Sequence, residues 1–170
     1  MHLSRGRVAS LHVHPKESEA PMLSLESITL VAGKGIVEDV RYFDRKNRSG
    51  EPRRRQVTLI EREQISEHAA VLGLTSIPAG RVRSNIETDG ISLIDCIGKQ
   101  LQIGEAILFI YDPRAPCAKM DAVVPGLREL MKNSRQGVLA QVIRSGTVRV
   151  GDAIQVNTEG RCGGIREQGP

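Results

Sequence analysis

The 170-residue chain has the size and composition of one folded domain, with 39% hydrophobic and 26% charged residues. It contains no Trp, two Phe and two Tyr, so its core must be built from aliphatic side chains. No apolar run approaches the roughly 18 residues that span a membrane, and the N-terminus lacks the apolar stretch of a secretory signal. We therefore expect a cytoplasmic protein that acts without a membrane.

The charge balance is basic, with a net charge of +4 and a pI near 9.2. The local excess lies in RKNRSGEPRRR, residues 45–55. Such a run is usually a solvated loop, and the alternative is that it attracts an anionic ligand or partner. Nucleic acid is disfavoured as that partner because few aromatic residues accompany the basic ones to stack bases.

Short apolar runs separated by Gly, Pro and Asn indicate that most of the chain forms β-strands. The clearest runs are RQVTLIE and EAILFIYD, residues 55–61 and 105–112. Residues 137–156 are typical of a hairpin, because Ser145–Gly146 and Gly151–Asp152 can form tight turns. We predict further strands over residues 11–14, 24–31, 34–43, 80–87 and 99–104.

Two segments have helical periodicity. In residues 62–73, apolar side chains recur on one face and Gly73 can end the helix. In residues 123–133, Pro125 suits a first helical turn.

Many short strands with two or three helices predict a mostly β or α+β fold, a β-barrel of short strands. The helices are too few for a parallel sheet of repeated βαβ units. We expect a single domain over residues 1–156 and a flexible, Gly-rich C-terminal tail over residues 157–170.

Three further motifs have simple structural explanations. Gly33–Lys34–Gly35 completes neither of the phosphate-binding glycine patterns, so we interpret it as a turn. His12 and His14 could ligate a metal from one strand face, but no third ligand accompanies them, and an exposed pair is the simpler interpretation. His68 lies beside acidic residues and is expected at the surface.

The three cysteines lack any metal-type spacing, which argues for reduced thiols and against a zinc or iron–sulfur site held by them alone. Cys96 lies among apolar residues and is expected to be buried, whereas Cys162 lies in the Gly-rich tail. Cys117 differs because prolines flank it and Arg114 and Lys119 place positive charge nearby. Such surroundings favour a thiolate, the form that acts as a nucleophile or a metal ligand.

The order of several segments resembles the MOSC domain family, named for the C-terminal part of molybdenum-cofactor sulfurases. The resemblance covers roughly residues 8 to 156, and its strongest element is a Pro-Cys that follows a Gly-initiated strand. The segments that carry it are GKGIVEDVRYF, RQVTLIE, AGRVRSNIETDGISL, IGKQLQIGEAILFI, DPRAPCAKMD and QGVLAQVIRSGTVRVGDAI.

The resemblance implies a β-barrel-like fold that binds the pterin molybdenum cofactor, molybdopterin, with a cysteine that ligates molybdenum or carries sulfur. That cysteine falls at Cys117, and a thiolate is a soft ligand suited to such a metal. Pyridoxal phosphate binding is a further association of the family as a whole. The cofactor-binding positions that it implies in this chain are Asp39, Arg41, Arg83, Asn85, Arg114 and Lys119.

The chain departs from the family pattern at Glu38, where a Gly commonly precedes the Asp. It also contains neither an aminotransferase-like domain nor a ferredoxin-like cysteine cluster. A separate electron donor or cysteine desulfurase is therefore the expected partner.

Three functions are compatible with these residues. The first is a molybdenum-cofactor-binding domain with Cys117 as metal ligand, which by resemblance would be a partner-dependent reductase of N-hydroxylated compounds. The second is a sulfur carrier that holds a persulfide on Cys117 for the assembly of metal–sulfur centres. The third is a binding barrel without chemistry.

Overall fold

A computed structural model describes residues 5–157, which form eleven strands and three short α-helices. The helices are Arg62–Val71 (α1), Lys119–Val123 (α2) and Leu127–Leu130 (α3). The strands are Gly6–Val13 (β1), Leu23–Leu25 (β2), Ser27–Val31 (β3), Gly35–Ile36 (β4), Val57–Glu61 (β5), Ile86–Asp89 (β6), Gln100–Ile103 (β7), Ala106–Pro113 (β8), Val138–Arg144 (β9), Gly146–Arg149 (β10) and Ala153–Asn157 (β11).

Seven of the strands close into a barrel in the order β11-β7-β8-β9-β5-β6-β1, and the pairing of β1 with β11 completes the ring. β2 adds to one end of β1, and a separate sheet in the order β10-β3-β4 lies outside the ring. Closure leaves the barrel without unpaired strand edges. The predicted barrel of short strands with a few helices is confirmed.

One parallel pair interrupts the antiparallel ring. β5 and β6 run parallel, and the connection between them contains α1. Parallel neighbours need a crossover of this kind, because the carboxyl end of the first strand and the amino end of the second lie at opposite ends of the pair.

Two apolar clusters lie on opposite sides of β5. Leu59 belongs to the cluster inside the barrel, and Ile60, the next residue, belongs to the cluster beneath the helices. Successive strand side chains point to opposite faces, so β5 is apolar on both. The second cluster comprises Ile60, Ile65, Ala69, Ile77, Val82, Met120, Leu127 and Met131.

The predicted hairpin over residues 137–156 is wrong. β9 pairs with β8 and β5, β10 pairs with β3, and β11 pairs with β7 and β1. A single residue, Ser145, separates β9 from β10, and its hydroxyl accepts a hydrogen bond from the Ala32 amide at 2.8 Å. The chain therefore continues into the second sheet instead of folding back on β9.

Other predicted elements are shorter than expected. Residues 123–133 do not form one helix, because α2 ends at Val123 and α3 begins at Leu127, after Pro125 and a left-handed Gly126 at φ 90°. Strand structure in residues 34–43 is limited to β4, and in residues 80–87 it begins only at Ile86.

All three histidines placed at the surface by the sequence are buried, with 1% exposure at His12, 4% at His14 and 2% at His68. Alternation could not predict the burial of His12 and His14, because residues 11–14 are all buried and their side chains do not alternate in exposure. Cys96 is buried as predicted, and its burial raises the pKa of the thiol. Cys162 and most of the predicted tail lie outside the described residues.

We predict that Gly137→Ala destabilises the barrel strongly. Gly137 lies at φ 75°, and a Cβ there would overlap the Leu59 carbonyl of β5 and come within 2.9 Å of the Ile60 Cα. Backbone atoms of a paired strand cannot move aside without breaking the ladder, so we expect a loss of about 3 kcal/mol or more in unfolding free energy, measured by urea denaturation.

Gly151→Ala is the matched control, because Gly151 also has a positive φ, 90°, but faces open space. Its cost should be limited to about 1–2 kcal/mol of backbone strain. Equal losses in the two variants would contradict the steric explanation.

Candidate functional site

Cys117 lies on a short loop between β8 and α2, and the residue is exposed. The loop is fixed at its start by a hydrogen bond from the Arg114 amide to the Gly137 carbonyl, at 2.9 Å. The loop borders a pocket of about 170 Å³. The residues that line this pocket, called here the thiol pocket, are His14, Arg41, Tyr42, Arg55, Arg83, Arg114, Ala115, Cys117, Lys119 and Met120.

The thiol pocket is strongly cationic. Four arginines and one lysine line it, and none of the described residues in its wall is Asp or Glu. They come from four separate parts of the chain: the turns after β4, the segment before β5, the turn before β6 and the Cys117 loop. Like charges converge here at an electrostatic cost, so the site is built to receive negative charge.

Arg114 is the most deeply buried of these cations, with 8% exposure. Its Nη1 donates to the Ser84 hydroxyl at 2.9 Å, and within residues 5–157 no carboxylate forms an ion pair with it. Burial, together with the repulsion of Arg55, lowers the pKa of Arg114 to about 10. The guanidinium is still charged at neutral pH, so the wall holds a buried and uncompensated cation.

Arg83 occupies an unusual backbone position, with φ 62° in the left-handed region. Its Nη1 donates to the Ala20 carbonyl at 3.3 Å, while its Nη2 is buried and has no hydrogen-bond partner within the described residues. A buried donor without an acceptor costs about 1–3 kcal/mol. An oxygen-rich ligand in the pocket would remove that cost if it reached Nη2.

Tyr42 organises the other side of the pocket. Its ring lies 4.8 Å from the His14 ring, between centroids. The guanidinium carbons of Arg41 and Arg55 lie 5.8 Å and 5.3 Å from the same tyrosine centroid, which is the cation–π range. One aromatic ring therefore contacts two of the pocket's cations.

A buried carboxylate supports this wall from behind. Asp39 Oδ2 accepts hydrogen bonds from the His14 amide at 3.2 Å and the Asn85 side-chain amide at 2.9 Å, and it lies 2.8 Å from His14 Nδ1. Burial alone would raise the pKa of Asp39, but the contacts with His14 and Asn85 outweigh it and hold the pKa below its ordinary value. The carboxylate is therefore ionised and fully engaged.

Asn85 extends the same network into the barrel. Its Oδ1 accepts from the Thr58 amide and hydroxyl at 3.0 Å and 3.1 Å, and its Nδ2 also donates to the His12 carbonyl at 3.0 Å. The side chain thereby joins β1, β5 and the turn before β6.

Of the positions that the resemblance implied, the structure brings Arg41, Arg83, Arg114, Cys117 and Lys119 together in one wall. The other two implied positions, Asp39 and Asn85, lie beneath the wall and do not line the pocket. The departure at Glu38 also lies away from the pocket, since its carboxylate binds the amide and hydroxyl of Thr29 at 2.9 Å and 2.8 Å.

Sequence reasoning did not identify His14, Tyr42 and Arg55 as site residues. Arg55 was visible only as the end of the basic run, and the assignment of His14 to the surface concealed its place in the wall. A Tyr beside an Arg in a turn gives no signal of its own, because its role depends on contacts that form across the barrel.

Comparison with known proteins bears directly on this site. The sequence model of the MOSC domain matches residues 39–155. This chain belongs to the MOSC family. The matched region contains every implied site residue of this MOSC domain, whereas His14 precedes it. No curated protein sequence matches the chain.

Solved structures agree on the fold. The YuaD protein from Bacillus subtilis has a TM-score of 0.75 at 20% identity, over 89% of this MOSC domain and 95% of YuaD. YiiM from Geobacillus stearothermophilus has a TM-score of 0.65 at 17% identity, over 89% of this chain and 75% of YiiM. YiiM from Escherichia coli has a TM-score of 0.63 at 21% identity, over 91% of this chain and 71% of that YiiM.

Within residues 5–157 no group of three or more His, Cys, Asp or Glu side chains could hold a metal ion by itself. None of the helices in the same residues is long and apolar enough to cross a membrane.

We predict that Asp39→Asn weakens the wall and changes its pH dependence. A group whose folded pKa is depressed contributes stability above its unfolded pKa, near 3.9, and loses it as pH falls through the folded value. The variant should lose about 1–3 kcal/mol of unfolding free energy at neutral pH. It should also show a shallower loss of stability below about pH 4.

The measurement is urea denaturation across the acid range, with Asp112→Asn as the control because Asp112 is exposed on β8. An Asp39 variant with the same acid profile as the natural chain would show that the carboxylate is not held by this network.

Proposed function

We propose that this MOSC domain binds the molybdenum cofactor, with Cys117 as a thiolate ligand of the metal. The observation that carries the proposal is the position of an exposed thiol in a pocket lined by five cationic side chains and by no described carboxylate. An anionic ligand with a soft metal at one end suits both features.

The residues present fit such a cofactor. Among residues 5–157, Arg114 is buried without a counter-ion and Arg83 has a buried donor without a partner, so both would gain from an oxyanion. The pocket, at about 170 Å³, is smaller than the roughly 300–1,000 Å³ of sites that enclose a whole ligand. It would therefore hold the charged and metal-bearing part of the cofactor.

The division of roles follows from the chemistry of the wall. Arg41, Arg83, Arg114 and Lys119 would bind phosphate or other anionic oxygens, and Cys117 would supply a sulfur ligand. When bound, the cofactor would supply a two-electron redox centre. Tyr42 and Asp39 contribute indirectly, since they hold the cations and His14 in position.

We propose that this centre catalyses the reduction of N-hydroxylated compounds. Conversion of R–NH–OH to R–NH₂ and water consumes two electrons and two protons, and the N–O bond is the one that breaks. A separate donor protein must supply the electrons. The cytoplasmic location, the absence of nucleic-acid and membrane partners, and any binding of pyridoxal phosphate rest on sequence reasoning alone.

Cys117→Ser tests the metal ligand. The variant purified from a molybdate-fed host should contain less than about a tenth of the molybdenum of the natural chain, because a hydroxyl is a poor soft-metal ligand. Elemental analysis measures the metal, and pterin fluorescence measures the organic part, which the cationic side chains should still retain in part.

Cys96→Ser is the matched control, since that thiol is buried in the barrel core and does not line the thiol pocket. Its molybdenum content should equal that of the natural chain. Molybdenum in equal amount in all three proteins would contradict the role of Cys117.

A sulfur carrier is the second candidate, because the exposure of Cys117 makes its sulfur accessible to a donor protein. The Cys117 thiolate would attack the terminal sulfur of a desulfurase persulfide, forming a new S–S bond while the donor cysteine departs as a thiolate. Incubation with a cysteine desulfurase and cysteine should then add the mass of one sulfur to Cys117. A protein that takes up neither molybdenum nor sulfur would be a binding barrel without chemistry.

A further inference from the structure

The basic run of the sequence folds as an ordered hairpin between β4 and β5. The Arg53 amide donates to the Arg45 carbonyl at 2.8 Å. Nearer the tip, the Asn47 amide donates to the Glu51 carbonyl at 2.8 Å, and Asn47 Oδ1 accepts from the Glu51 amide at 2.9 Å. The backbone therefore holds the basic side chains in fixed places. Residues 41–55 are called here the basic hairpin.

The charge of the basic hairpin is largely uncompensated. It contains two carboxylates, and one of them, Asp44, pairs with Lys34 outside the hairpin, at 4.0 Å. Within residues 5–157 no carboxylate forms an ion pair with any cation of the hairpin. An exposed surface of one sign creates a field that attracts the opposite charge. The cations are Arg41, Arg45, Lys46, Arg48, Arg53, Arg54 and Arg55.

The basic hairpin begins and ends in the wall of the thiol pocket, where Arg41 and Arg55 lie. A further concavity of about 310 Å³ opens on the hairpin itself. Arg41 and Tyr42 line both spaces, so the two are continuous. A partner bound to the hairpin would therefore lie beside the opening that exposes Cys117. The other residues that line the further concavity are Arg45, Lys46 and Arg53.

A membrane, a nucleic acid and an acidic protein could each meet such a surface. Residues 44–54 contain no large apolar side chain that a lipid surface would bury. The neighbouring aromatic rings are already covered by arginines, with the guanidinium carbon of Arg54 at 4.3 Å from the Tyr111 centroid and that of Arg55 at 5.3 Å from the Tyr42 centroid. Covered rings are not free to stack bases. An acidic protein needs neither feature.

We infer that the basic hairpin is the docking surface for an acidic electron-carrier protein. The inference rests on the proposed reductase, and it adds the surface chemistry of the electron donor and the place where that donor binds. Each reduction of an N–O bond consumes two electrons, so a carrier of one electron must bind, lose its electron and leave twice. Electrostatic attraction suits this demand, because it accelerates association without a large buried interface.

A double variant, Lys46→Glu with Arg48→Glu, tests this surface. Both residues are exposed on the hairpin, and neither lines the thiol pocket. The matched control is Arg128→Glu with Arg149→Glu, which reverses two exposed cations outside the hairpin and the thiol pocket. The two double variants have the same net charge, so a difference between them reports the position of the charge.

The probes are two acidic carriers, a plant-type [2Fe–2S] ferredoxin and a flavodoxin, with cytochrome c as a basic carrier. Fluorescence anisotropy of each labelled carrier measures the Kd at low ionic strength. The natural chain and the control should bind at least one acidic carrier and should not bind cytochrome c. The hairpin variant should raise the Kd for that carrier by about tenfold or more, and its binding should depend less on salt.

Binding is measured with and without the cofactor, which separates failure of this inference from failure of the proposed function. A chain that binds the carrier through the hairpin but contains no molybdenum would support the docking surface and reject the reductase. Equal Kd values in the two double variants would overturn the inference. So would the lack of binding of either acidic carrier to the natural chain, or tighter binding of an RNA duplex than of the carriers.

Discussion

The carboxylate of Asp39 is the contact on which the thiol pocket depends. It bonds to His14 at the end of β1 and to Asn85 before β6, and its other oxygen accepts from the Tyr42 amide at 3.3 Å. Each of these segments also supplies a pocket side chain: His14 itself, Tyr42 with its neighbour Arg41, and Arg83. One ionised group beneath the surface therefore contacts three separate stretches of chain, each of which supplies a side chain to the pocket.

Convergence of cations in the thiol pocket carries an electrostatic cost that a bound anion would reduce. Arg114 is buried beside Arg55, and the repulsion between them contributes to its lowered pKa. The cation–π contact with Tyr42 attracts the Arg55 guanidinium electrostatically but does not neutralise its charge. A fold can retain such a cluster because the closed barrel behind it supplies stability from apolar burial that is independent of the site. Arg83 is a non-glycine residue in the left-handed region, and this backbone strain is a second unfavourable feature of the same pocket.

Sequence reasoning predicted the barrel, and it failed where the outcome depended on distant partners. Short apolar runs in residues 55–61 and 105–112 identify β5 and β8, because strand geometry is local. The pairing of β9, β10 and β11 with other strands of the fold is not local, and a Ser-Gly pair between two apolar runs looks the same in a hairpin as in a passage between sheets. The burial of His14 and the convergence of the cations likewise arise only when the ring closes. The positions implied by resemblance to the family include five of the ten residues that line the thiol pocket.

The loop of residues 15–22 is held against the thiol pocket by hydrogen bonds that use only part of two guanidinium groups. Arginine has five N–H donors, and Arg41 and Arg83 each use one of them on a carbonyl of this loop. Other donors of these side chains can bind an anion while the loop bonds persist, so an anion that fixes the two arginines would also fix the loop. By linkage, a molecule that orders the loop must favour the anion in return.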